Sequence, residues 1–346
     1  MSKPNLLSLL WRLAAAASIL TSAAVPVTAE PLRLKFATIA PRGTVYHEAL
    51  LTLGDAWRKS APQDASFAAY PDGSQGGEGD FVRRMRIGQL SGAFMSATGL
   101  SEIDPSAGAL QFMPLMFRTW EDTDAVGKKL HPFIEKRFLD KGYVVLYWGD
   151  VGWVRLFAKK AATHPSDFKQ LKMWTWSGNP AQQNLMQTLG YRPVALETAD
   201  ILPGLQTGLL ESVPVTAEWA LAAQIDQAAP HMLDIRWVPI AAATVVTRKV
   251  WDALDPTGQQ ALRQGSEQAA ELIRSRREAL DRGSVEAMAQ RGLTVHSMTP
   301  ELDAEWRSLV ESAYPRIRGN MVPADVFDQV RAALKELHPE LAGAQP

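Results

Sequence analysis

Few residues in this chain are spaced for catalysis. His47-Glu48 begins like a zinc-protease helix, but Leu51 stands where a second histidine would complete the metal pair. The six histidines are otherwise dispersed, and no pair at i, i+4 has a carboxylate nearby, so no metal site is expected. "PDGSQGGEGD" (71–80) sets a serine among glycines without the G-x-S-x-G spacing of a hydrolase elbow. No Gly-Lys-Ser/Thr follows, so the stretch reads as a turn feeding a helix N-terminus at Glu78–Asp80 rather than as a phosphate cradle. The chain has no cysteine, which excludes disulfides, thiolate ligands and a cysteine nucleophile. With no nucleophile and base assembled, neither enzymatic activity nor a cofactor is expected.

What remains is the chemistry of a binding surface. In "LKMWTWSGNP" (171–180), strand alternation puts Lys172, Trp174 and Trp176 on one face and Leu171, Met173 and Thr175 on the other. Two indoles side by side, next to a small polar turn containing Asn179, suit either a core or a ligand wall.

The elements that would position them alternate. "LRLKFATI" (32–39) reads as a strand, and the next segment has helical spacing, with Leu50, Leu53 and Trp57 on one side. A strand and glycine-rich turn, a helix around 81–90 and a short apolar strand, "SGAFMSAT", continue a βαβ rhythm that points to an α/β fold with a largely parallel sheet. "GYVVLYWGD" (142–150) is apolar enough to be a central strand, and "GWVRLFAKK" reads as a further strand crossing into a second domain. From Asp255-Pro256 to Gly292 the pattern predicts one helix of ~35 residues, roughly 50 Å long, with Gly265 and Gly283 as kink points. Residues 300–341 read as two more amphipathic helices.

The first 29 residues resemble a secretory signal: Lys3 and Arg12, an apolar run, and small residues before Glu30 predict cleavage after Ala29 and export to the periplasm. Without Lys3 and Arg12 the basic count falls from 36 to 34 against 37 acids, a net charge of about −3. The cations are scattered, so nucleic acid is not an expected partner. The 317 residues after Ala29 are long enough for two domains. The expected layout is lobe I over 30–152 with part of 241–346 returning to it, lobe II over 153–240, the spanning helix at 255–292, and the last helices at 300–341.

Several stretches together resemble the extracytoplasmic solute receptors of tripartite ATP-independent periplasmic (TRAP) transporters, DctP type. "LKFATIAPRGTVYHEAL", "YPDGSQGGEGDFVRRMRIGQLSGAFMSATGL", "GALQFMPLMFRTWEDTDAV", "SDFKQLKMWTWSGNP", "LGYRPVALETADILPGLQTGLLES" and "VWDALDPTGQQAL" follow in that family's order. The resemblance implies a two-lobed binding-protein fold with mixed sheets, crossing strands and a long inter-lobe helix. It also implies a small-molecule solute held in the cleft and membrane permease subunits as partners; oligomeric state stays open. Such receptors typically carry an arginine in the strand resembling "LKMWTW", where it grips a solute carboxylate. Here Trp174 takes that position. A second common arginine would fall near Val154, with Arg155 one residue away. The polar run expected after "LQTGLL" is replaced by "ESVPVT", with Val213 among its residues.

These departures point to an apolar or amphipathic solute. The expected ligand-binding residues are Trp174, Trp176, Trp219, Arg155, Tyr46, His47, Phe94, Ser96, Val213 and Asn179. Two alternatives remain open: an organic-acid receptor using Arg155 or Lys172 as its cation, and a lipid or hydrophobic-compound carrier working with another protein.

Overall fold

The computed structural model describes residues 33–60 and 65–339. The expected signal and its cleavage point after Ala29 lie outside the described residues. Among the described residues the strands are β1 (Arg33–Ala37), β2 (Ser66–Tyr70), β3 (Gly92–Ser96), β4 (Tyr143–Ala158), β5 (Lys172–Trp176), β6 (Arg192–Leu196), β7 (Ser212–Thr216), β8 (His231–Leu233), β9 (Pro239–Thr247) and β10 (Thr294–His296). They form a mixed sheet ordered β2-β1-β3-β9-β4-β7-β5-β6, with β8 against β4 and β10 against β8.

The two wings of this sheet are parallel. β1 pairs in parallel with β2 and β3, and β5 with β6 and β7, as βαβ connections require. Each wing is built on alternation: in β1, Leu34 and Phe36 are buried while Arg33 and Lys35 are exposed. Between the wings, β9 and β4 run antiparallel to their neighbours and stitch the wings together. β4 is one continuous 16-residue strand where the sequence suggests two, and it serves both wings. Its register breaks between Asp150 and Trp153. Gly152 sits in that break at φ +124°, a backbone state that side chains oppose.

Helix Val45–Ser60 buries Leu50, Leu53 and Trp57, the face that the spacing predicts. The long helix runs unbroken from Pro256 to Gln290, 35 residues, and Asp255 caps it by accepting from Gly258 N at 2.7 Å. Gly265 lets it approach helix Val45–Ser60: a Cβ there would stand 2.8 Å from Ala56 Cβ. Ion pairs fix it to the sheet. Arg277 grips Asp124 through both Nη atoms, at 2.8 and 2.6 Å, and also binds Asp150. Its guanidinium lies 4.7 Å over the Trp120 ring, which in turn packs 5.0 Å from Trp153. Helices Pro300–Ile317 and Ala324–Leu337 close the chain, burying Trp306 and Phe327. Among the described residues no helix is long and apolar enough to cross a membrane.

Candidate ligand-binding site

A cavity of about 290 Å³ opens at the carboxyl ends of β1, β3, β5 and β7, where the loops of both wings meet around β4. β5 presents Trp174 and Trp176 to it. Both indole N–H groups are used within the protein: Trp174 Nε1 donates to the Leu196 carbonyl at 3.2 Å, and Trp176 Nε1 to Glu197 at 3.1 Å. The rings are therefore held in place and offer apolar faces. Met173, from the other face of β5, also reaches the wall.

From the first wing come Tyr46, at the start of helix Val45–Ser60, and Phe94 and Ser96 at the end of β3. The rings of Tyr46 and Phe94 stack with centroids 5.9 Å apart. Tyr46 Oη lies 2.8 Å from the Val151 carbonyl and 2.7 Å from Glu218 Oε2, so it bridges from the first wing to helix Ala217–Ala222 beside β7. A phenol has one proton and here two acceptors. One of the two acceptors is therefore left short of a donor. Burial, opposed by the Tyr46 hydroxyl and assisted by the charge of Asp281, raises the Glu218 pKa. Trp219 lines the cavity next to Glu218.

Glu78 is 3% exposed and accepts from Ser96 N at 2.7 Å, Ser96 Oγ at 2.7 Å and Gly99 N at 2.9 Å. It thus serves the first turn of helix Ala97–Ser101 while also lining the cavity. Burial outweighs these three bonds and pushes its pKa up to about 7.

Of the residues expected at the site, Tyr46, Phe94, Ser96, Trp174, Trp176 and Trp219 share this cavity. The other four do not line it. Arg155 points to the opposite side of β4, because its neighbours Val154 and Leu156 take the cavity side. There it is 5% exposed and pairs with Asp281 at 2.7 and 2.9 Å and with Asp234 at 2.6 Å. His47 is buried, its Nδ1 accepting from Gly43 N at 3.3 Å. Val213 is wholly buried with Phe157, Ile201 and Leu205, while Pro214 and Val215 after it reach the cavity. Asn179 caps helix Pro180–Thr188, its Oδ1 accepting from Gln182 N at 3.0 Å. Lys172 also lies off the cavity, with Nζ donating to the Gly208 carbonyl at 2.6 Å.

The wall has a second half that sequence reasoning missed. Helix Pro180–Thr188 contributes Leu185 and Met186, and helix Pro300–Ile317 contributes Trp306, Leu309 and Val310 from more than a hundred residues downstream. Trp237 joins them, edge-on to Trp306 at 5.6 Å. Apolar spacing in those helices signals a buried face but not the partner it meets. Glu218, beside the flagged Trp219 in "TAEWAL", was also missed. Among the described residues no lysine, arginine or histidine lines the cavity. No group of three or more His, Asp or Glu among them is arranged to hold a metal ion.

Residues 36–320 match the model of the DctP family, described as bacterial extracellular solute-binding protein, family 7. A solute-binding protein of Verminephrobacter eiseniae is 25% identical over 222 residues, 64% of this chain and 66% of that protein, so the match spans just under two thirds of the relative's length. The ectoine-binding periplasmic protein TeaA of Halomonas elongata is 22% identical over 81% of this chain and 84% of its own. In three dimensions the chain is similar to a TRAP periplasmic solute binding protein from Shewanella oneidensis, solved with bound succinate. That TM-score is 0.81 at 14% identity, covering 88% of this chain and 99% of the other.

Proposed function

The chain belongs to the DctP family, the bacterial extracellular solute-binding proteins of family 7, and from that premise we propose that it is a periplasmic receptor for an apolar or amphipathic organic solute. The receptor captures the solute between its two lobes and hands it to TRAP-type permease subunits in the membrane. One observation carries the choice of solute: a cavity walled by aromatic and aliphatic side chains, Trp174 among them, with no cation on its wall among the described residues.

Magnitudes favour this reading. A carboxylate buried without a counter-charge costs several kcal/mol even after relaxation, on the order of the whole binding energy of a micromolar ligand. An apolar solute covering ~150 Å² of indole and aliphatic surface gains roughly 4 kcal/mol before ordering costs. The succinate held by the Shewanella protein favours the opposite reading, an organic-acid receptor. Here that reading needs a cation, and both Arg155 and Lys172 are engaged elsewhere.

Titration calorimetry separates the two. Octanol is expected to bind and succinate to give no heat below millimolar concentration; succinate binding at micromolar Kd overturns the proposal. Export is checked by N-terminal sequencing of the protein recovered from a bacterial periplasm, expected to begin at Glu30.

A further inference from the structure

The charges on the cavity wall narrow the solute further, on the footing of the apolar-solute reading above. Three carboxylates line the cavity, Glu78, Glu197 and Glu218. Two of them flank one feature. Glu218 is bonded to Tyr46, whose ring stacks on Phe94; Glu78 is bonded to Ser96, two residues along β3 from Phe94. Gln111 adds another acceptor to the wall. Its Nε2 donates to Thr98 Oγ1 at 3.3 Å, and its Oε1 is buried with no partner among the described residues. The two cations that the sequence offered for the site are occupied: Arg155 by Asp281 and Asp234, Lys172 by the Gly208 carbonyl. Elsewhere the same wall is Met186, Leu309, Val310 and Met321, with no charge.

Each class of head group meets this wall differently. An anion meets like charge without a counter-ion. A neutral, donor-free head leaves buried acceptors unpaired. A protonated amine answers a carboxylate with a charge-assisted hydrogen bond and lies against aromatic faces that attract cations. We propose that the solute is an amphipathic amine, its ammonium held between Glu218 and Glu78 beside the Tyr46–Phe94 stack and its apolar body lying along Met186, Leu309 and Val310.

The test is calorimetry at neutral pH on the protein, with three probes that share an octyl chain: octylamine, octanol and octanoate. The expected order is octylamine at least tenfold tighter than octanol, with octanoate at least tenfold weaker than octanol. Glu218→Gln removes most of the gain of amine over alcohol. Glu78→Gln, a second variant, narrows the same ratio. Should octylamine bind no better than octanol, or octanoate bind best, the charge inference is overturned while the apolar cleft stands. If none of the three binds, the apolar-solute reading falls as well. The wild-type series decides the matter even if a variant does not fold.

Discussion

The two sides of β4 treat charge in opposite ways. Behind the strand, Arg155 is buried and held by Asp281 of the long helix and by Asp234, and Arg277 is held in the same manner by Asp124 and Asp150. In front, Val154 and Leu156 face a cavity whose only charged lining residues among those described are glutamates. One residue of register separates the sides. The comparison teaches that an arginine close to a binding cleft in sequence can be a structural ion, and that the cleft's preference is then set by what it lacks.

The largest effect is expected behind the strand. Arg155→Ala leaves two carboxylates facing a vacated guanidinium site, and breaking a buried pair in this way costs about 3–5 kcal/mol of stability. Chemical denaturation should show that loss, while the ratio of octanol to succinate binding stays as in the wild type. A variant of unchanged stability with altered solute preference would instead return Arg155 to the binding site.

In front, the next effect is a pH dependence at Glu78. Its folded pKa, raised to about 7 chiefly by burial, lies above the ordinary 4.5. The fold therefore prefers the protonated form. That contribution is full below pH about 4.5 and is lost as pH rises through about 7, up to ~3 kcal/mol at 1.36 kcal/mol per unit. His131, held down from 6.5 to about 4 by burial, acts in the opposite sense over a largely overlapping range. Subtracting the profile of Glu78→Gln from that of the wild type isolates the Glu78 part; parallel profiles would show that Glu78 ionises freely.

A smaller change should convert one side into the other. Trp174→Arg adds a cation to the cavity wall at the position where the family resemblance implies one. Succinate affinity should rise at least tenfold, about 1.4 kcal/mol, and octanol affinity should fall. No gain for succinate would mean that the arginine position was misaligned.

Much of this architecture was legible in the sequence because its signals are local. Alternation marked β1 and β5, apolar periodicity marked the face of Leu50, Leu53 and Trp57, and the Asp255-Pro256 start and Gly292 stop bracketed the long helix. The site was partly legible. Residues at strand ends, Phe94, Ser96, Trp174 and Trp176, share the cavity because strand ends converge there. His47 and Val213 lie in equally suggestive stretches, yet neighbouring residues take the cavity side. Asn179 spends its side chain on a helix cap, which the Asn-Pro pair signals in retrospect. Trp237, Trp306 and Leu309 were out of reach, since no spacing says that helix Pro300–Ile317 returns to cover β5.

The central claim is that a cleft without a cation takes an apolar solute. Native mass spectrometry of the protein isolated from a bacterial periplasm, followed by solvent extraction of whatever it carries, tests this most directly. The expected result is a retained apolar or amphipathic molecule, with an amine as its polar group. A small organic acid retained in its place would contradict the account, since its carboxylate would require a cation that the wall does not provide.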